Sequence, residues 1–175
     1  CIRDRDYIDS LAEFMIFKYN NESTIVYNTI QLYRHDRFHY MKGLISRCST
    51  NNKFLGLKLV RGAYMEKERE RAAKKNYKDP IQKDKESTDY DFSLAVEYCL
   101  KKIDFVSLCI GTHNEKSVLH LINLMIDYSL RKNDSRIYFA QLFGMSDHVS
   151  YNLSKQGYNV AKYVPYGPIF EVVPY

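Results

Sequence analysis

The chain has 175 residues, of which 45% are hydrophobic and 27% charged, a balance that is typical of a globular domain with its own core. The formal net charge is +5, but basic and acidic residues alternate, as in Glu66–Arg71, so no basic stripe suited to nucleic acid results. The four cysteines form no C-x-x-C pair, which argues against a disulfide framework and a zinc site. We expect a single domain over residues 1–175.

No apolar run in the sequence approaches the roughly 20 residues that span a bilayer, and no secretory signal stands at its start. The first residue is Cys1 rather than Met, which indicates that the sequence begins inside a longer chain. A targeting segment would then precede Cys1, so the sequence leaves the cellular compartment open.

Short apolar runs of strand-like composition alternate with segments of helical periodicity. In chain order we predict a helix over Asp6–Tyr19, a strand over Thr24–Tyr33, a helix over Asp36–Cys48, a strand over Phe54–Val60, a helix over Met65–Lys75, a helix with an apolar stripe from Phe92 to Ile103, a strand over Phe105–Ile110, a helix with a stripe from Val118 to Ile126, a strand over Arg136–Leu142, a helix over Asp147–Gln156 and a strand over Asn159–Val164.

Residues that favour helix starts support these predictions. Ser87–Asp89 are predicted to cap the helix that carries Phe92, Asn114 to cap the next helix, and Ser146 with the residue after it to cap the following one. Pro168 is predicted to open a further helix, because proline suits the first helical turn.

Repeated strand–helix units imply a parallel sheet with right-handed crossovers. Two architectures fit, a doubly wound sheet and a (β/α)₈ barrel, and the sequence contains neither G-x-G-x-x-G nor the P-loop motif, which weakens the nucleotide-binding doubly wound folds. The residues thus predict an α/β fold and leave both architectures open, the doubly wound sheet and the (β/α)₈ TIM-type barrel. A complete barrel needs eight strands and typically about 250 residues, so about five parallel strands with alternating helices would form an incomplete barrel.

Polar and aromatic residues recur where each predicted strand ends, which is where the functional residues of such folds lie. Lys58 lies in a buried-looking strand, where an unpaired ammonium is costly, so it is predicted to point into a pocket. Thr112–Asn114 stand at a strand-to-helix junction and can bind phosphate through hydroxyl, imidazole and N–H groups. His35 and His39 have a metal-ligand spacing but no evident third ligand, so we predict no metal site.

Five blocks of the sequence carry a resemblance, namely IVYNTIQLYRHDR, KLVRGAYMEKERERA, GTHNEKSV, FAQLFGMSDHVSYNL and GYNVAKYVPYGPIFEVVPY. In this order they resemble the proline dehydrogenase family, in its monofunctional form and in the dehydrogenase domain of bifunctional proline-utilisation proteins. The resemblance implies a distorted (β/α)₈ barrel that holds FAD noncovalently. It also implies oxidation of L-proline to Δ1-pyrroline-5-carboxylate by hydride transfer to flavin N5, the first step of proline catabolism, with electrons passed to a membrane quinone.

The resemblance also implies roles for individual residues. Contacts to FAD are expected from Gln31, Lys58, Val60, Gly62, Ala63, Tyr64, Thr112, His113, Asn114, Gln141 and Leu142. Contacts to the proline ring are expected from Leu142, Tyr163 and Tyr175, and the catalytic side chains are expected to be Lys58 and Tyr163.

Partners and compartment are implied in the same way. L-proline and a membrane quinone are the expected partners, with peripheral membrane association and without nucleic acid. The compartment is expected to be either the bacterial cytoplasm at the inner membrane or the mitochondrial inner membrane and matrix. The family continues beyond the Pro-Tyr ending with a helix whose two adjacent arginines clamp the substrate carboxylate. Because the sequence stops at Tyr175, these 175 residues alone are expected to bind proline poorly.

Two other hypotheses about the function stay open. Lys58 suits a Schiff-base lyase or aldolase barrel in which its amine is the nucleophile. A non-catalytic barrel fragment is the second alternative, and it would bind neither FAD nor a proline analogue.

Overall fold

The computed structural model describes residues 2–168 and Phe170, with the side chains of residues 2–6 outside that description. Helices and strands alternate along this part of the chain. The elements are α1 (Ile2–Tyr19), β1 (Tyr27–Gln31), α2 (Arg37–Thr50), β2 (Leu55–Val60), α3 (Met65–Lys75), α4 (Lys85–Leu100), β3 (Val106–Gly111), α5 (Glu115–Asp127), β4 (Ile137–Leu142), α6 (Asp147–Lys155) and β5 (Val160–Tyr163). Of the helix predicted from Pro168 onwards, Phe170 is described and is helical, and the other residues after Pro168 lie outside the described part.

The five strands form one sheet in the order β1-β2-β3-β4-β5, and every neighbouring pair is parallel. A doubly wound sheet reverses the direction of strand addition at a switch point, whereas the strands of a (β/α)₈ barrel follow one another in order. The sequential order therefore confirms the predicted barrel-type α/β fold and excludes the doubly wound alternative. Within the described residues β1 and β5 do not pair, so the sheet is an open arc.

The two faces of the sheet differ in chemistry because successive side chains of a strand point to opposite sides. On β2, Leu55, Leu57 and Leu59 are buried against the helices, whereas Lys58 and Val60 lie on the other face and are only half-buried. The register continues this division across the sheet, since Lys58 pairs with Cys109 and Val60 with Gly111. We call the side of Lys58 and Val60 the inner face and the other side the helix-facing side.

Helix starts follow the prediction at α5 and depart from it at α4. Asn114 caps α5, because its side-chain oxygen accepts a hydrogen bond from the Ser117 N–H at 3.2 Å. The predicted cap at Ser87–Asp89 is wrong: α4 begins at Lys85, and the carboxylate of Asp84 accepts from the Ser87 N–H at 2.7 Å. An acidic side chain in extended backbone satisfies these orphan donors, and the helix therefore starts earlier.

Ser146 precedes α6 as predicted, but its side chain makes no capping hydrogen bond. Its backbone is left-handed, with a φ of 51°, and its hydroxyl lies 3.1 Å from Nδ1 of His113 instead. The start of α6 is thereby connected to the end of β3.

Candidate active site

A cleft of about 570 Å³ opens at the carboxyl ends of β1, β2 and β3, and Tyr163 of β5 closes one side of it. This volume lies within the range of small-molecule sites. The predicted site residues that line it are Gln31, Lys58, Val60, Gly62, Ala63, Tyr64, Thr112, His113, Asn114 and Tyr163, and the further lining residues are Thr29, Arg61, Lys85 and Gly111.

The charges of the cleft have one sign. None of the described residues that line it is acidic, whereas Lys58, Arg61 and Lys85 contribute positive charge. A concave, low-dielectric wall strengthens the field of such charges. The cleft therefore suits a ligand that carries anionic or electron-rich groups.

Lys58 contacts Tyr163 across the cleft. Its Nζ lies 4.8 Å from the centroid of the Tyr163 ring, within the range of a cation–π contact. Lys58 comes from β2 and Tyr163 from β5, strands that are separated by two others in the sheet. The ammonium and the phenol ring thus face each other across the inner face, where a flat ligand would meet both.

Arg61 is a site residue that the sequence reasoning missed. Its Nε contacts the carboxylate of Asp89 at 2.5 Å, and its two terminal nitrogens donate to the hydroxyls of Thr112 at 3.1 Å and Ser117 at 2.8 Å. The guanidinium carbon lies 4.3 Å from the Phe92 ring centroid. Like Lys58, Arg61 is a cation at the end of a buried strand, and this signal in the sequence indicates it.

The acid that holds Arg61 is charged in the folded protein. Burial raises the pKa of Asp89, but the hydrogen bonds and positive charges of Lys85 and Arg61 outweigh that effect and lower it overall. The positive charge of Arg61 is thus partly balanced from behind, on the helix-facing side, while the inner face keeps its cationic lining.

Two glycines at the base of the cleft leave room that a side chain would fill. Gly62 has a φ of 123°, and a Cβ added there would lie 2.6 Å from the ring of Tyr33. A Cβ at Gly111 would lie 2.8 Å from Cγ1 of Val60 and 3.4 Å from Cε of Lys58. Both positions admit only glycine without rearrangement, and both leave backbone exposed to a flat ligand.

His113 stands beside the N-terminus of α5. Burial and, to a smaller extent, the positive charge of Lys162 lower its pKa, so the neutral imidazole is favoured at neutral pH. One ring nitrogen is occupied by Ser146, as described above, and His113 still lines the cleft.

Three of the predicted contacts are not found in the lining of the cleft. Gln141 is 2% exposed on the helix-facing side of β4, where its amide bonds to Thr112 O and the Ser150 hydroxyl, so its contact with FAD stays a prediction. Leu142 pairs with Tyr163 and therefore shares the inner face, but lies outside the cleft lining. Tyr175 lies outside the described residues.

A second cavity of about 420 Å³ adjoins the first. The two share a wall formed by Arg61, Gly62, Ala63, Tyr64 and Lys85. Two neighbouring cavities with a common cationic wall suit an elongated ligand with two parts joined by a charged linker.

Metal binding and membrane crossing find no support in the described part of the chain. No three His, Cys, Asp or Glu side chains there come close enough together to hold a metal ion. None of the helices in the same residues is both long and apolar enough to cross a membrane.

The family model for proline dehydrogenase matches residues 4–175 of the chain. The chain belongs to the proline dehydrogenase family. Human "Proline dehydrogenase 1, mitochondrial" is 37% identical over 171 residues, which cover 96% of this chain and 28% of the relative. The Xenopus laevis "Hydroxyproline dehydrogenase" is 36% identical over 168 residues, covering 92% of this chain and 35% of that protein.

Solved proline dehydrogenase relatives share the fold. Proline utilization A from Bdellovibrio bacteriovorus, inactivated by N-propargylglycine, superimposes with a TM-score of 0.78 at 24% identity, over 84% of this chain and 15% of that one. The chain spans about a quarter of the length of the fly and human relatives it matches, 25% and 28%. The activity of those longer proteins is therefore only a proposal for this chain.

Proposed function

We propose that the chain forms the flavin-binding part of an enzyme that oxidises L-proline to Δ1-pyrroline-5-carboxylate with FAD. Membership of the proline dehydrogenase family supports this proposal. The structural observation that carries it is the acid-free cleft at the strand ends, in which Lys58, Arg61 and Lys85 surround a floor built with Gly62 and Gly111.

The residues present fit FAD in shape and in charge. Lys58, Gln31 and Tyr163 would hold the flavin ring system, because the ammonium, amide and phenol face a flat space above the inner face. The adjoining cavity is lined by Arg61, Lys67 and Lys85 against one acid, Glu66. It would hold the phosphate-bearing half, since cations and N–H groups favour phosphates. When bound, FAD would supply the two-electron acceptor for the hydride of proline.

The chain's own residues contribute charge and orientation. Lys58 places a positive charge on the inner face, where it favours negative charge that develops during the reaction. Tyr163 holds the lysine by its ring face and offers an apolar wall to the substrate ring, together with Leu142 on the neighbouring strand. We propose these two residues as the substrate wall and Lys58 with Tyr163 as the catalytic side chains.

Relatives suggest the partners and the compartment. The matched proteins from fly, human, worm and slime mould are all named as mitochondrial proline dehydrogenases. We therefore propose the mitochondrial inner membrane and matrix rather than the bacterial cytoplasm. A membrane quinone as electron acceptor, reached by peripheral association, completes the proposal.

The decisive experiment uses the protein at its full natural length. The purified protein should show flavin absorbance in the visible range, and anaerobic addition of L-proline should bleach that band. A protein without flavin, or with flavin that proline leaves oxidised, would contradict the proposal. Borohydride trapping of a carbonyl compound on Lys58 would favour the Schiff-base lyase instead.

A further inference from the structure

Gln141 is a buried polar residue that the cleft itself does not explain. It is 2% exposed, and Ile137 and Phe139, which share its side of β4, belong to the hydrophobic core. Burying an amide without hydrogen-bond partners is unfavourable. The groups that Gln141 hydrogen-bonds therefore indicate its role.

Both ends of the Gln141 amide are paired. Nε2 donates to the backbone oxygen of Thr112 at 3.2 Å, and Oε1 accepts from the hydroxyl of Ser150 at 2.9 Å. A carbonyl oxygen only accepts, so the NH₂ end must face Thr112 and the orientation of the amide is fixed. Gln141 thus joins the end of β3 to α6 through the interior.

This bond sets the direction of the peptide between Thr112 and His113. Within the described residues no peptide bond is cis, so the His113 N–H points opposite to the Thr112 carbonyl and away from Gln141. On the other side, the Thr112 hydroxyl accepts from Arg61 at 3.1 Å and from the Asn114 N–H at 3.1 Å. Thr112 is held from the cleft by Arg61 and from the helices by Gln141.

Residues at the start of α6 make a second connection to the segment Thr112–Asn114. The Ser150 hydroxyl lies 3.3 Å from the backbone oxygen of Ser146, and the Ser146 hydroxyl lies 3.1 Å from Nδ1 of His113. The segment Thr112–Asn114 is therefore connected to α6 through both Gln141 and His113.

We infer that Gln141 is a positioning residue for the cleft. It fixes the Thr112–His113 peptide, which belongs to the Thr112–Asn114 wall of the cleft, and it couples that peptide to α6. The inference rests on the proposed function, because it takes FAD as the ligand of this cleft.

The test compares Gln141→Leu with Asn159→Leu, a matched change beside the start of β4. Asn159 donates through Nδ2 to Asp134 O at 2.7 Å and Ile137 O at 3.1 Å, so it also ties strand ends together with an amide. In the full-length protein, Gln141→Leu should raise the dissociation constant for FAD about 10-fold, the scale of losses when a ligand-holding group loses its support. Asn159→Leu should lower the urea midpoint and leave that constant unchanged.

Gln141→Glu adds a pH readout that a purely structural role would not produce. The protonated acid can donate to Thr112 O as the amide does, whereas the carboxylate repels that oxygen. FAD affinity of this variant should approach that of the wild type at low pH and fall as pH rises, with a much smaller change in the wild type. Ser150→Thr, which keeps the hydroxyl, should bind FAD more tightly than Ser150→Ala.

Hydrogen exchange separates this inference from the proposed function. Gln141→Leu should speed exchange at the Asn114 and Ser117 N–H groups, and this holds whether or not FAD binds. A wild type that does not bind FAD contradicts the proposed function, whereas faster exchange in Gln141→Leu would still support the positioning of Thr112–Asn114 by Gln141. If FAD binds and Gln141→Leu matches Asn159→Leu in both affinity and exchange, the inference is overturned.

Discussion

At the scale of single residues, Lys58 is the side chain on which the proposed chemistry depends most. Replacing it by methionine keeps the volume and removes the charge that faces Tyr163. We expect Lys58→Met to slow anaerobic flavin bleaching by proline on the order of 10²-fold, the cost of removing one charge-stabilising group from an active site. Lys58→Arg keeps the charge and should retain most of the rate. Stopped-flow absorbance measures both variants.

A matched control exists far from the cleft. Lys18 on α1 places its Nζ 5.1 Å from the Tyr19 ring centroid, a similar lysine–tyrosine contact. Lys18→Met should leave the bleaching rate unchanged. A Lys58→Met rate within twofold of the wild type would remove Lys58 from the proposed catalytic side chains.

Gly62 gives a second residue-scale prediction, this one about stability. Gly62→Ala places a Cβ 2.6 Å from the Tyr33 ring in backbone with a φ of 123°. Gly157 has a φ of 90°, but an added Cβ meets nothing within 4 Å. Gly62→Ala should therefore reduce the free energy of unfolding by about 1–3 kcal/mol more than Gly157→Ala, measured in urea. Equal losses would show that Tyr33 moves aside without cost.

Residue by residue, the sequence predicted the cleft better than it predicted what supports the cleft. Lys58 and Tyr64 could be found because Lys58 lies near the carboxyl end of a buried strand and Tyr64 follows the same strand, where parallel sheets place their sites. Gln141 could not be placed, because Ile137–Leu142 is apolar on both of its alternating sides and either side could face the helices. Only the contact with Ser150 on α6 decides its direction.

At the scale of elements, α1 is anchored by a buried ion pair. Asp9 of α1 contacts Arg37 of α2, with side chains only 6% and 5% exposed. Asp9→Asn should reduce the free energy of unfolding by about 3–5 kcal/mol, because it leaves Arg37 buried with less compensation. Urea denaturation followed by circular dichroism measures the loss.

A second ion pair on the same helix provides the control. Glu13 contacts Arg47, whose side chain is 48% exposed, so solvent screens this pair. Glu13→Gln should cost at most about 1 kcal/mol. If the two variants lost equal stability, the ion pair of Asp9 would not be the anchor of α1.

The turn before α2 predicts a pH dependence. Burial raises the pKa of Asp36, but the hydrogen bonds and charges of Arg37 and Arg34 outweigh it and hold the pKa far below its ordinary value of 3.8. A lowered folded-state pKa means that the contribution is fully present above the unfolded-state pKa and is lost as pH falls through the folded value. The stability advantage of the wild type over Asp36→Asn should therefore be constant near neutral pH and shrink below about pH 4. Urea midpoints that differ equally at pH 3 and pH 7 would contradict this.

Element boundaries show where sequence patterns stop being sufficient. The strand predicted over Thr24–Tyr33 is observed only as β1, because the Asn20 side chain accepts hydrogen bonds from the Ile25 and Val26 N–H groups and holds the preceding residues in a loop. Apolar composition does not reveal such a competing side-chain acceptor. The alternation of strands and helices, in contrast, follows directly from the change of hydrophobic period.

At the scale of the whole molecule, the cleft is made by an arc whose ends do not pair within the described residues. β1 and β2 supply Gln31 and Lys58, and β5 supplies Tyr163, so a ligand in the cleft contacts strands from both ends of the sheet. The neighbouring strands hold each other in order, but the contact of Lys58 with Tyr163 is the direct link across the inner face. A bound ligand would add further links between the same strands.

Ligand binding should therefore stabilise the molecule as one unit. A ligand that binds only the folded state at 100 times its dissociation constant adds about 2.7 kcal/mol to the free energy of unfolding. We expect FAD at that concentration to raise the urea midpoint accordingly, with an unchanged slope because the same surface is exposed on unfolding. ADP, which lacks the flavin ring and therefore the contacts of Lys58 and Tyr163, should stabilise less at equal concentration. Two results would contradict this prediction: FAD shifts only part of the urea transition, or ADP stabilises as strongly as FAD. Either result would mean that the ligand does not join β1 and β2 to β5 across the inner face.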